Sequence, residues 1–315
     1  MSYISLYFFL FFVVILVAFY VVPTKYREIV LLSANMIFYL SFDIRYIIFL
    51  LLVAGSSFYI AKLIKDTSKN HKNLLILVIL FNALMWGTIK WGRYFIGIIS
   101  EGILEHIGIY WLVPIGISYY TLEAISYVVD VYMKKIEPEK SFFKYLVYIS
   151  YFPKIVQGPI TKYNEIDLNH HKTLKEIDVK TNISLIAVGF VKKLVVADRL
   201  AIFVNYCFDN YDVLDGGVLY IGAVCYSIQL YLDFSGCVDI CRGFSGLLGI
   251  HLKDNFNCPY FSKSVKEFWG KWHISFSTWL KEYIYIPLGG NRKGKNRKYI
   301  NIMLTFIVSG ICHFT

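Results

Sequence analysis

The sequence predicts an all-α polytopic membrane protein, and three observations carry that expectation. Hydrophobic residues make up 57% of the 315 positions and charged residues only 17%, against roughly 25% charged in ordinary soluble domains. Apolar runs long enough to enter a bilayer recur along the whole chain. The lysines and arginines lie dispersed in short intervals between those runs, so the net charge of +10 fits loops facing anionic lipid and not a nucleic-acid surface.

Taken in order, the runs are Ile4 to Val22, Ile29 to Leu40, Tyr46 to Ala61, Leu74 to Trp86, Tyr110 to Val131, Phe142 to Ile155, Ile183 to Val196 and Val218 to Leu232. The first has no basic residues before it and no A-x-A-like cleavage site after it, which makes it a retained helix and not a signal peptide. "MSY" ahead of it carries no Lys or Arg, whereas "TKYR" at 24–27 follows at once, so the positive-inside rule places the N-terminus outside. Two spans later the basic interval Lys62 to Lys72 falls on the cytoplasmic side again. Several runs are shorter than the roughly 20 residues of a perpendicular span, which predicts tilted, re-entrant or broken helices.

Neither a low-complexity linker nor a fixed-period repeat interrupts the chain, so residues 1–315 form a single membrane-embedded domain. The longest polar interval, 161–182, holds His170 and His171 without a third ligand or helical i, i+4 spacing, the pattern of a solvated loop and not of a metal site. The six cysteines lack CxxC spacing and give no disulfide framework; Cys237 and Cys241 share a helix face suited to packing.

In the second half, polar residues enter the apolar segments in clusters. "LVPIGISYYTLEAISYVVDVY" (112–132) places Tyr120 and Glu123 in a span opened by Pro114 and Gly116, and "YSIQLYLDFSGCVDICRG" (226–243) carries Gln229, Asp233, Asp239 and Arg242. Ionisable groups in lipid cost several kcal/mol unless they face a partner or a wet cavity, so these clusters are expected to line a polar interior. For Asp239 and Arg242, three residues apart, an internal ion pair is the simpler expectation. "SYFPKIVQGPITKYNEI" (150–166) breaks a helix with two prolines and a glycine, as a re-entrant loop or a bend at a cavity mouth does. Residues 254–298 are dense in aromatics with lysines at their polar edges, and Gly289-Gly290 ahead of "NRKGKNRK" suits a cytoplasmic turn better than a phosphate cradle.

"FWGKWHISFSTWLKEYIYIPLGGN", followed by "VSGICH", resembles the signature of the membrane-bound O-acyltransferase (MBOAT) family, in the branch of alginate O-acetyltransferases and the teichoic-acid D-alanyl transfer protein. "PIGISYYTLEAISYVVDVY", "YFPKIVQGPITKY", "LYLDFSGCVDI" and "DNFNCPYFSKSVKEFW" resemble further blocks in the same order. The resemblance implies an MBOAT-like helical bundle with re-entrant or broken helices around a polar cavity. It also implies acyl transfer from a thioester donor to a hydroxyl, with His313 as the catalytic histidine and His273 as the histidine of the "WHIS" block. Two positions depart from the branch: Cys312 and Phe314 flank His313, where Trp and Gly are usual.

The chemistry is consistent with that assignment. A sugar hydroxyl is a poor nucleophile, so a neutral imidazole within hydrogen-bond reach must take its proton. An apolar setting keeps histidine unprotonated, and "NIMLTFIVSGICHFT" offers one to His313. The candidate substrate-binding residues are Trp272, Trp279, Ser275, Asp233, Gln229 and Tyr120, with no metal site and no bound cofactor. Acetyl-CoA or an acyl carrier is the expected co-substrate. Expected partners are the lipid bilayer and an exported polysaccharide, reached through an extracytoplasmic acyltransferase; the alternatives are D-alanyl transfer toward teichoic acid and an inactive, truncated family member. A transporter would show pseudo-repeated halves, and none is visible. The final apolar segment stops two residues after His313, so the domain is expected to be incomplete at its C-terminus.

The topology makes a direct prediction. In intact cells, a cysteine introduced at Ser2 is expected to label with an impermeant thiol reagent above the background of the native cysteines, and one at Asn70 is not; the reverse pattern inverts the orientation.

Overall fold

The computed structural model of the chain describes residues 3–66, 71–99, 113–168 and 172–313. The histidine pair at 170–171 and the start of the fifth apolar run, 110–112, lie outside the described residues, as do Phe314 and Thr315. Helices joined by turns and irregular loops make up the described residues, without a strand among them. The helices are α1 (Leu6–Val21), α2 (Thr24–Leu40), α3 (Tyr46–Asp66), α4 (His71–Ile99), α5 (Ile117–Tyr132), α6 (Phe142–Ser150), α7 (Val179–Phe190), α8 (Asp198–Asp209), α9 (Gly216–Leu247), α10 (Val265–Lys271), α11 (Ile274–Leu280) and α12 (Lys295–His313).

By length and composition, α3, the first part of α4 (His71–Gly92) and α9 can each cross a membrane. The others are shorter, as the broken runs predict. α1 begins where Ser5 Oγ accepts the Phe8 N–H at 3.2 Å, and it ends ahead of Pro23. Phe8, Phe12, Ile15 and Phe19 form its buried stripe, while Leu6, Tyr7, Val14 and Val17 stay exposed, an apolar outer face suited to lipid.

The inner stripe meets an aromatic centre that joins four segments. The Phe12 and Phe244 ring centroids are 4.4 Å apart, those of Phe8 and Phe244 5.1 Å, and those of Phe38 and Phe152 5.9 Å. Against lipid, such contacts stabilise by close packing and ring geometry more than by removal from water. α7 and α9 approach through glycines: a Cβ on Gly189 would stand 2.7 Å from the Gly236 carbonyl oxygen. α7 then continues through a π-helical turn, Val191–Ala197, into α8.

That π turn changes the expectation for the polar cluster of α9. Lys192 Nζ lies 2.5 Å from Asp239, and Lys193 Nζ lies 2.7 Å from Asp233 and 2.9 Å from Asp198. Arg242 reaches Asp239 at 3.5 Å and Asp254 at 2.6 Å, so the internal pair expected for Asp239 and Arg242 forms within a larger network. These carboxylates therefore end in ion pairs and do not line an open polar interior, because a nearby lysine offsets their desolvation more fully than a partly wet wall does.

The segment after α6 breaks and reverses, as the prolines and glycine at 150–166 predict. Nine residues of helix end at Ser150, and the chain then reverses through a turn so tight that a Cβ on Gly158 would fall 2.4 Å from Lys154 Cα. The backbone N–H groups freed by this break find side-chain acceptors. Phe152 N–H donates to Asn35 Oδ1 at 2.9 Å, Thr161 N–H to Glu123 Oε1 at 3.0 Å, and Ile160 N–H to Ser275 Oγ at 3.1 Å. Gly116, at φ +75°, lets α5 start against this turn; a Cβ there would stand 2.3 Å from the Ile155 carbonyl oxygen.

Lys154 closes the arrangement. Its Nζ donates to Glu123 Oε2 at 2.6 Å, with both side chains at most 3% exposed. Lys154→Met leaves the Glu123 carboxylate buried without its counter-charge and is expected to destabilise the folded protein by about 3–5 kcal/mol. The check is thermal unfolding in detergent micelles, with Glu123→Gln added to Lys154→Met expected to restore a measurable part of the loss.

Candidate active site

The site is assembled where helix formation fails. Ser264 Oγ caps α10 by accepting the Glu267 N–H at 3.1 Å, and Glu267 pairs with Lys271 at 2.8 Å one turn later. The chain then turns extended at Trp272 and left-handed at His273, with φ 44° and ψ 55°, before α11 begins. A non-glycine residue in this region is strained and persists only where its surroundings hold it.

Asn255 supplies much of that hold. It is buried, its carbonyl oxygen accepts the Ile274 N–H at 2.9 Å, and its side-chain Oδ1 accepts the Ser275 N–H at 2.8 Å. Its Nδ2 lies 3.2 Å from His273 Nδ1, with Oδ1 farther off at 3.4 Å. The His273 ring meets Phe234 edge-on at 4.8 Å, Phe276 at 5.2 Å and the His313 ring at 6.3 Å, the two imidazoles being nearly perpendicular at 83°. His273 stands outside the three membrane-length helices; burial first, and the neighbouring His313 second, hold its imidazole well below the usual histidine range.

His313 reaches the same space from the last turn of α12. Its Nδ1 lies 2.8 Å from the Ser309 carbonyl oxygen, which only accepts, so Nδ1 carries the proton and Nε2 keeps a free lone pair. The ring is exposed, with Phe276 edge-on at 5.0 Å. Among the described residues, the aromatic enclosure is most complete around His273. Among the described residues, aromatic rings surround the "WHIS" turn on several sides, while the last turn of α12 is covered on one.

Both imidazoles and Trp272 line a cavity of about 980 Å³. Trp272 stacks on Phe268 at 5.7 Å and meets Phe256 edge-on at 5.2 Å. The rim carries Lys266, Lys281, Arg292 and Lys298, and none of these forms an ion pair among the described residues. Gly289 and Gly290, at φ 105° and 55°, turn the chain at this rim, and the buried Asn301 Nδ2 pins the turn by donating to the Gly290 carbonyl at 2.8 Å.

The other sequence candidates stand outside the cavity lining. Trp279 is buried with Nε1 donating to the Leu122 carbonyl at 3.0 Å, and Ser275 Oγ accepts the Ile160 N–H at 3.1 Å. Asp233 pairs with Lys193, and Tyr120 sits in the core with its hydroxyl 3.5 Å from that of Tyr39. Gln229 is half-buried beside the lining residue Leu230, and its Oε1 is buried without a hydrogen-bond partner among the described residues. Asn255 and the four rim cations escaped selection from the sequence. The "DNFNCPY" block holds Asn255 in plain view, but an isolated asparagine has no periodicity or ligand spacing to mark it.

With this geometry in place, the comparisons with known proteins are specific. The membrane-bound O-acyltransferase family matches residues 134–314, which include the re-entrant turn, α9 and both cavity histidines. The probable alginate O-acetylase AlgI of Azotobacter vinelandii is 32% identical over 98% of this chain and 64% of its own length. The peptidoglycan O-acetyltransferase of Helicobacter pylori is 31% identical over 90% of this chain and 60% of its own length. The teichoic acid D-alanyltransferase of Bacillus subtilis is 27% identical over 63% of this chain and 53% of its own length. The chain therefore spans less than two thirds of the length of these relatives. From the ordered blocks, the two facing imidazoles and these matches, the chain belongs to the membrane-bound O-acyltransferase family.

Proposed function

We propose that this chain carries the acyl-transfer centre of a membrane enzyme that moves an acyl group, acetyl before others, from a thioester donor to a hydroxyl of a cell-surface or exported polysaccharide. The observation that carries the proposal is the pair of imidazoles set 6.3 Å apart on one cavity, one exposing a free Nε2 lone pair and the other held in a strained, buried position. Relatives named for alginate and peptidoglycan O-acetylation support a polysaccharide acceptor and an acetyl group. A D-alanyl acceptor reaction on teichoic acid is the second reading, supported by a relative that matches a smaller share of the chain at lower identity.

The chemistry follows from the two rings. His313 Nε2 takes the proton of the acceptor hydroxyl as its oxygen attacks the thioester carbonyl carbon. The oxyanion that forms is stabilised by a hydrogen-bond donor in the cavity, a role that falls to His273. Collapse breaks the carbon–sulfur bond, and the departing thiolate takes the proton back from the His313 imidazolium, leaving an ester and a free thiol. Trp272 supplies an aromatic wall against which the acyl chain or a sugar ring rests. The donor is a co-substrate and not a resident cofactor, and Lys281, Arg292 and Lys298 suit one that carries phosphates, such as acetyl-CoA or a phosphopantetheine-bearing carrier. The bilayer and an extracytoplasmic acyltransferase that receives or guides the polymer complete the partners, with the N-terminus outside.

His313→Ala in the full-length protein is expected to lower acyl transfer by about 10²–10⁴-fold while membrane abundance stays near normal. His273→Ala is expected to lower it by about 10²–10³-fold. Transfer of radiolabelled acetyl to polymer in isolated membranes checks both, and wild-type rates in either variant remove that residue from the chemistry. Arg292→Ala is expected to raise KM for the donor with little change in kcat, and added salt to weaken donor use in the wild type more than in the variant. An unchanged KM removes the rim from donor binding.

A further inference from the structure

The proposed chemistry asks His273 for a proton donor, yet a neutral imidazole carries one proton on either of two nitrogens, and its own ring does not choose between them. The choice is made by what faces Nδ1. Here that neighbour is Asn255, whose amide presents either an oxygen that accepts or an NH2 that donates. The orientation of the amide is fixed from its other side. The Ser275 backbone N–H, 2.8 Å from Asn255 Oδ1, needs an acceptor, so the oxygen must point there. The NH2 is thereby turned toward His273, with Nδ2 at 3.2 Å from Nδ1 and the oxygen at the longer 3.4 Å.

An NH2 group facing Nδ1 makes that nitrogen an acceptor. With the NH2 the nearer of the two amide groups, at 3.2 Å against 3.4 Å, the geometry favours the ring proton on Nε2. His313 is held the opposite way, with its Nδ1–H on the Ser309 carbonyl. The two rings thus carry complementary faces, one N–H donor and one lone pair, although they are the same residue type.

We propose that Asn255 is a positioning residue that locks His273 as the Nε2–H tautomer, making it the hydrogen-bond donor to the thioester carbonyl oxygen and leaving His313 as the base. The assignment rests on the acyl-transfer reading and adds to it a residue that touches neither the reacting atoms nor the cavity lining. The supporting frame is continuous. Ser275 is placed by Ile160, whose N–H donates to Ser275 Oγ at 3.1 Å; the adjacent Thr161 N–H is held by the buried Glu123 carboxylate at 3.0 Å. Ile274, the first residue of α11, is tied to the Asn255 carbonyl at 2.9 Å, so the two residues that follow the left-handed His273 are both bonded to the same asparagine.

Asn255→Asp separates this role from a merely structural one. The side chain keeps its size and can still accept the Ser275 N–H, but its second oxygen now accepts from Nδ1. Neutral His273 then moves its proton to Nδ1 and loses the Nε2 donor; only the imidazolium retains both. A carboxylate beside the ring also raises its pKa. The variant is therefore expected to show kcat reduced by about 10²–10³-fold at alkaline pH with KM little changed. It is also expected to gain a new alkaline limb in its pH profile, activity falling as pH rises through the raised His273 pKa. The titratable group set against the ring among the described residues is His313 on α12; α9 and α11 present Phe234 and Phe276.

The decisive measurement needs no activity. In full-length protein labelled with 15N-histidine in detergent micelles, with the His273 signals identified by their loss in His273→Gln, Nδ1 of wild-type His273 is expected to resonate as an unprotonated nitrogen and Nε2 as a protonated one. Asn255→Asp is expected to exchange the two. A wild-type His273 protonated at Nδ1 overturns the assignment, and so does an Asn255→Asp variant with wild-type kcat and pH profile. If the wild type transfers no acyl group, the functional reading falls, while the nitrogen spectrum still decides the tautomer.

Discussion

In an apolar interior, every backbone N–H and C=O released from a helix must find another partner, and that requirement shapes this protein wherever its helices break. The reversal after α6 releases several such groups at once. Asn35, Glu123 and Ser275, from three different parts of the chain, supply their acceptors. Because these side chains are already committed to backbone groups, their positions are fixed independently of any ligand. The break after Trp272 is resolved in the same way by Asn255.

The two breaks are mechanically joined. Glu123 is bound to Lys154 and holds Thr161, Ile160 holds Ser275, Ser275 holds Asn255, and Asn255 faces His273. A buried ion pair is weak evidence for stability in its own right. Here its geometry matters more, since it sets the turn on which the catalytic-side asparagine and its histidine depend. The left-handed His273 backbone is the strained end of this series, and the two residues after it are both bonded to one asparagine.

Charge is divided between two regions. Beside α9, Lys192, Lys193 and Arg242 are all engaged by carboxylates, those of Asp239, Asp233, Asp198 and Asp254. At the cavity rim, Lys281, Arg292 and Lys298 have no carboxylate partner among the described residues. These cations are the observation behind the anionic thioester donor proposed above.

The sequence by itself determined the membrane-embedded helical class, the break at 150–166, the pairing of Asp239 with Arg242, and His273 and His313 as the residues to follow. These are local properties: run length, proline and glycine content, i, i+3 spacing and short motifs all lie within a few residues of one another. Tertiary structure alone decided which polar residues face the cavity. Asp233, Tyr120, Ser275 and Trp279 looked as suitable as Trp272 in one dimension, but Lys193, Tyr39, Ile160 and Leu122, from distant segments, engage them. It also decided which rings close around His273 and that Asn255 stands at its Nδ1. The physical reason is the same in each case: a side chain's partner in a low-dielectric interior is set by whichever unsatisfied group the fold brings within about 3 Å, and sequence spacing carries no information about a neighbour that arrives from another helix.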